Sequence, residues 1–228
     1  MALQRTVPPT APAITAAFVK AHTRIDSNID DDYLNKLLIP AAIDLAETYL
    51  RRSFTTQTWV KTLDQFPGPS LMGVPYGVDF SLPGHAIILE KPPIQSITGI
   101  SYTALDGTTG TVLPWTPGTG NPTASGVYYF IDLTYGGTQR VDNLLRVTPT
   151  FGQIWPIPLP AIGSVQVTYI AGYGADDSFV PASIKQWIAM NVATLYENRE
   201  RCVVGTRVTV SELPYVDHLM DGYVVELN

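Results

Sequence analysis

Between Asp30 and Phe54 the apolar positions Leu34, Leu37, Leu38, Ala41, Leu45 and Tyr49 recur at spacings of three and four. That rhythm predicts one long helix with a single buried stripe. Asp30, Asp31 and Asp32 stand where a helix start favours acceptors and negative charge, and Arg51 and Arg52 where its last turn favours positive charge. Pro40 interrupts the pattern. Its ring meets the carbonyl of Lys36 and it has no N–H to donate, so a kink or two abutting helices are expected there. A second long helical pattern runs from Pro181 to Arg201, with Ile184, Trp187, Ile188, Val192, Leu195 and Tyr196 on one face. Each helix has one sticky side, and the two are expected to close on each other.

The chain between them follows a two-residue rhythm. Residues 55–66 alternate Trp59, Lys61 and Leu63 against Thr58, Val60 and Thr62, as an antiparallel strand with one wet face should. Further strands are expected at Val78–Leu82, Ala86–Leu89, Ile94–Tyr102, Thr111–Leu113, Tyr128–Asp132, Leu144–Pro149 and Ser164–Gly174, with a hairpin turn at Leu105–Thr108. Residues 155–160 read as extended polyproline-like chain. The predicted class is α+β: a small bundle formed by the N- and C-terminal helices, with a large inserted antiparallel β domain. Residues 1–13, rich in proline and without periodicity, are expected to be a flexible arm. A short helix anchored by Phe18 and Val19 follows, capped by Thr15. Residues 14–54 and 180–202 would form the helical core, 55–179 the β-rich insertion and 203–228 a docking segment. That last segment carries Leu213, Tyr215, Val216, Leu219, Met220 and Tyr223, too many large apolar groups for a free tail. It either packs on its own domain or docks into a partner. Leu71, Met72, Tyr76 and Trp115, in two long loops, are candidates for a subunit interface.

Charge narrows the function. The net charge is -6 and the sequence pI about 4.9, which leaves no basic stripe for gripping nucleic-acid phosphate. The single cysteine, Cys202, permits no internal disulfide and no thiolate metal cluster. His22, His85 and His218 lie in unrelated segments without ligand spacing, and Ala171–Gly174 lacks the third glycine of a dinucleotide fingerprint. No nucleophile elbow or phosphate-loop lysine is present, and Asp64, Asp79, Glu90, Asp106 and Asp132 form no defensible pair. No catalytic, cofactor or metal site is expected. No run is long enough to span a membrane, and the N-terminal residues lack the apolar core of a signal peptide, so a soluble cytosolic product is expected. Trp115, Tyr128, Tyr129 and Tyr135 leave open a non-catalytic β-sandwich module that binds carbohydrate or protein.

The segments LIPAAIDLAETYLRRSFTTQTW (residues 38–59), KPPIQSITGISYTALDG (91–107), VQVTYIAGYG (165–174), VPASIKQWI (180–188) and LYENRE (195–200), in this order, resemble the tailed-phage head-tail connector, or adaptor, family. The resemblance implies a structural virion protein made in the host bacterial cytoplasm. It implies a ring of about twelve copies docked beneath the portal protein, with a stopper or tail-terminator protein below and DNA passing through without specific binding. Under that resemblance the segment after residue 203 engages the portal. Asp30, Asp31, Asp32, Asp176 and Asp177 are candidates to face the channel, repelling phosphate so that DNA is confined without being held.

Overall fold

The computed structural model describes residues 1–68, 86–114, 127–131, 145–149, 154–198 and 215–225. Strand β1 spans Ala2–Val7, helix α1 Ala16–Thr23 and helix α2 Asp31–Tyr33. A π-helical turn, Leu34–Leu38, leads into α3, Ile39–Leu50. Seven strands follow: β2 (Gln57–Leu63), β3 (Ile87–Leu89), β4 (Ile94–Thr103), β5 (Thr109–Pro114), β6 (Val127–Ile131), β7 (Leu145–Pro149) and β8 (Val165–Ala171). Helix α4 (Ala182–Glu197) and the short α5 (Tyr215–His218) complete the described elements. The α+β class expected from the sequence is the class observed.

The π turn is how the chain accommodates Pro40. The Ile39 N–H reaches back five residues to the Leu34 carbonyl, inserting one residue before the proline without breaking the helix. One inserted residue rotates everything after it by about 100°. The buried series is therefore Leu34, Leu38, Ile39, Ala42, Ala46 and Leu50. The stripe expected from an uninterrupted helix lies one residue earlier at each step after Leu34. Of it, Leu37, Leu45 and Tyr49 stay 54%, 52% and 49% exposed, and Ala41 is exposed too. The rod ends at Leu50, earlier than expected, because Arg51 takes a left-handed conformation (φ 56°) and sends its N–H back to Glu47.

Helices α3 and α4 do close on each other. Ile184, Trp187, Ile188, Ala189 and Val192 join the buried face of α3, together with Ala13, Ile14, Val19 and Phe54, in one core. Leu195, expected in that stripe, is 41% exposed, and Phe18, expected as an anchor, lies at the surface beneath Lys185. A second core belongs to the sheet, which runs β1-β2-β8-β4-β5-β6-β7-β3. Ile87, Leu89, Ile100, Val112, Val147, Val165, Val167, Tyr169 and Ala171 fill it. Neighbours are antiparallel except β5 and β6. The hairpin expected at Leu105–Thr108 joins β4 to β5, with Gly107 at φ 82°. Lys61 is buried, its ammonium held by Glu90 and the Ile88 carbonyl at 2.7 Å each.

Where the two cores meet, Tyr173 donates its N–H to the Phe54 carbonyl and Thr56 to that of Gly174, both at 2.8 Å. A Cβ on Gly172 would stand 2.5 Å from the Thr55 backbone, and its φ of 130° is open only to glycine. The two ends of the chain bear on two expectations. Residues 1–13 are not a loose arm, since Ala2–Val7 pairs with β2 and Ala13 and Ile14 are buried. The C-terminal segment is also drawn inward: Met220 and Val225 are buried, and the Val225 N–H bonds the Leu50 carbonyl at 3.2 Å.

The register shift sets two leucines on one helix against each other. Leu50→Ala should cost about 2–5 kcal/mol, as a cavity-forming change does, whereas Leu45→Ala should stay within about 0.5 kcal/mol. Urea unfolding of the two variants checks this, and equal costs would contradict the register.

Candidate interaction surfaces

Among the described residues no cluster of His, Cys, Asp or Glu could hold a metal ion, and no helix is long and apolar enough to cross a membrane. Surfaces are the features that stand out. The rotation of α3 leaves Leu37, Ala41, Leu45 and Tyr49 as an outward ridge, four residues apart along the rod. Such positions lie on one helix face. Tyr49 extends the ridge toward α4 by stacking on Trp187, with ring centroids 6.4 Å apart. A monomer gains nothing from a continuous row of large apolar side chains in water. Reading the helix from its periodicity alone hides this ridge, because the same residues are then counted as core.

The acidic candidates fall into two groups. Asp30 accepts a hydrogen bond from the Tyr196 hydroxyl at 2.6 Å, near the C-terminal end of α4. Asp31 is paired with Lys20 and Asp32 with Lys36, each at 2.8 Å. Asp177 lies 3.9 Å from Lys185 at the other end of α4. Asp176 accepts from the backbone N–H and hydroxyl of Ser178, which lowers its pKa. A helix of this length separates the groups by roughly 20 Å, so they do not form one cluster.

The docking candidates divide as well. Met220 lies in the helical core and Val216 and Tyr223 pack against it, while Leu219 is half-buried. Buried Arg52 fixes this segment by donating from Nε to the Tyr223 carbonyl. Met220 itself is fully buried within the subunit. Leu213, the side chain of Tyr215, and the interface candidates Leu71, Met72, Tyr76 and Trp115 lie outside the described residues.

A site the sequence reading missed surrounds Glu47. Its carboxylate is buried on the core side of α3, accepting from the Phe54 N–H and the Gln57 amide at 2.8 Å each. Arg5, from β1, approaches from outside: its guanidinium lies 3.8 Å from the carboxylate and donates to the Gln57 side-chain oxygen at 3.3 Å. Lys91 donates to the Glu47 carbonyl at 3.2 Å. Burial raises the Glu47 pKa, against the pull of these donors and cations, and burial likewise lowers that of Lys91. The only hint in the sequence is that Glu47 sits between Ala46 and Leu50, an acid intruding at the edge of the true buried series.

Because the folded state raises the Glu47 pKa above its ordinary 4.5, its contribution is fully present below that value and is lost as pH rises through the raised one. The stability of the native protein relative to Glu47→Gln should therefore fall as pH climbs from about 4 toward neutrality. Urea midpoints of both proteins along that range test the sign, and a gap that stays constant would refute it.

Residues 14–72 match a family model described as phage gp6-like head-tail connector protein. No match is found among curated proteins. Three solved chains share the fold over 100% of this chain and 97% of their own. One comes from the virion of a native gene transfer agent particle (TM-score 0.68, 16% identity). A second is from the neck of an empty such particle computed with C6 symmetry (0.68, 17%). A third is from the neck of a native particle computed with C12 symmetry (0.62, 16%). The resemblance carried by the first long helix and its continuation thus has an independent counterpart: residues 14–72, which hold the π turn, α3 and β2, are the ones that match the model of the phage gp6-like head-tail connector family.

Proposed function

We propose that this protein is a structural connector of a virion neck, assembling as a ring of about twelve copies that docks beneath the portal and extends the DNA channel toward the tail. The observation that carries this reading is the coincidence of two matches: the connector family over residues 14–72, and a fold shared end to end with chains from neck structures of sixfold and twelvefold symmetry. The net charge of -6 suits a conduit through which a polyanion slides without being held. The ridge of α3 suits a subunit whose surface is completed by a neighbour.

With residues 215–225 tied into the core, portal contact through them falls to what they still present, including exposed His218 and Asp221, paired at 2.7 Å. Deleting residues 214–228 would remove core residues along with any docking surface. A point substitution on the ridge is the cleaner probe.

Cells in which Leu45→Lys is the sole source of this protein should yield filled heads without tails, while the purified variant melts within a few degrees of the native chain. Tailed, infectious particles carrying Leu45→Lys at native copy number would remove the ridge from the ring body. Particle necks in which imaging finds no ring of this chain would overturn the connector reading itself.

A further inference from the structure

The N-terminal strand and the place that receives it are built as separable parts. The receptor needs nothing from β1. It consists of the outer edge of β2, whose other edge is paired with β8, and of the Glu47 carboxylate already fixed by the Phe54 N–H and the Gln57 amide. The strand contributes little packing in return. Of its residues only Leu3 is even half-buried, and the pairing slips between Arg5 and Val7. Its side-chain contacts are the Arg5 guanidinium, set against Glu47 and Gln57, the Thr6 hydroxyl, which donates to the Thr58 carbonyl at 3.3 Å, and Leu3 against the sheet core; the Met1 ammonium lies 3.7 Å from Asp64.

The link between strand and body is equally distinctive. Residues 8–12 read Pro-Pro-Thr-Ala-Pro, and the anchor begins at buried Ala13 and Ile14. Proline-rich chain is stiff and extended, advancing about 3.1 Å per residue, so this spacer reaches on the order of 15 Å. It does not settle on the helix beneath it. A cavity of about 480 Å³ lies between it and α3, lined from the helix side by Pro40, Ile43, Asp44 and Glu47. Lifting the arm away forfeits the β2 ladder, the Leu3 packing and these few polar contacts, and all of them are recovered on an identical receptor.

Resting on the ring reading above, we propose that β1 is exchanged between neighbouring copies, each subunit laying Ala2–Val7 on the β2 edge of the next and seating Arg5 against that neighbour's Glu47 and Gln57. The occupant is a second copy of this chain, because the receptor matches this strand residue by residue. A heterologous contact of this kind leaves no strand and no receptor unused when the ring closes. It adds main-chain hydrogen bonds to whatever side-chain contacts join the subunits.

Gln4 and Val60 face each other across the ladder and neither is fully buried, so cysteines there can be bridged. In a Cys202→Ser background, Gln4→Cys with Val60→Cys should give a ladder of crosslinked chains on a non-reducing gel of oxidised particles. Arg5→Ala added to that pair should weaken the ladder several-fold. A single monomer band from particles that contain the chain overturns the exchange while leaving the ring intact. Particles that lack the chain overturn the connector reading and the exchange with it.

Discussion

A proline that cannot donate a hydrogen bond sets the geometry of this molecule. Pro40 sits one position into α3, and the chain reaches it through a turn that is one residue too wide. That extra residue decides which side of the rod faces the second long helix. Ala42, Ala46 and Leu50 are sent inward, small residues allowing close approach of the two rods, and Leu45 and Tyr49 are sent out. The core, the apolar ridge and the position of Glu47 all descend from that single shift of about 100°.

Two cores result, and the segments between them carry much of the polar detail. Arg52, Glu47, Lys91 and Gln57 all lie near the end of α3, where the chain passes from helix to sheet. Burial there is costly for charge, and each group is met by another: Arg52 by the Tyr223 carbonyl, Glu47 by backbone and amide donors, Lys91 by the end of α3. The same few residues connect the first strand, the longest rod of the N-terminal half and the final residues. The seam thus carries a specific set of hydrogen bonds, which favours one relative arrangement of the helical and β parts.

Much of this was legible from residue order. The helical pair, the strands at 94–102 and 165–171 and the hairpin glycine follow from periodicity and turn chemistry, which are local. What was not legible came from contacts between distant segments. Periodicity assumes a constant number of residues per turn, so it places the stripe through Leu37, Leu45 and Tyr49 inside, whereas these residues lie outside. Residues 1–13 looked loose because the partner that orders Ala2–Val7 is β2, more than fifty positions away. The burial of Met220 is not announced by its neighbours in sequence, because the α3 and α4 residues it joins in the core are distant along the chain. Glu47 was invisible for the same reason: an acid on a helix is ordinary until its burial is known.

The helical core draws on Ala13 and Ile14, on α3, on α4 and on Met220, spanning almost the whole polypeptide. Contacts so remote in sequence are slow to form, and α3 is made well before α4, the rod it packs on. The nascent α3 has only Ala13, Ile14, Val19 and Phe54 to cover its buried face, and its outer ridge is bare. The buried face is completed when α4 and Met220 join it and Val225 bonds Leu50; the ridge persists into the folded subunit.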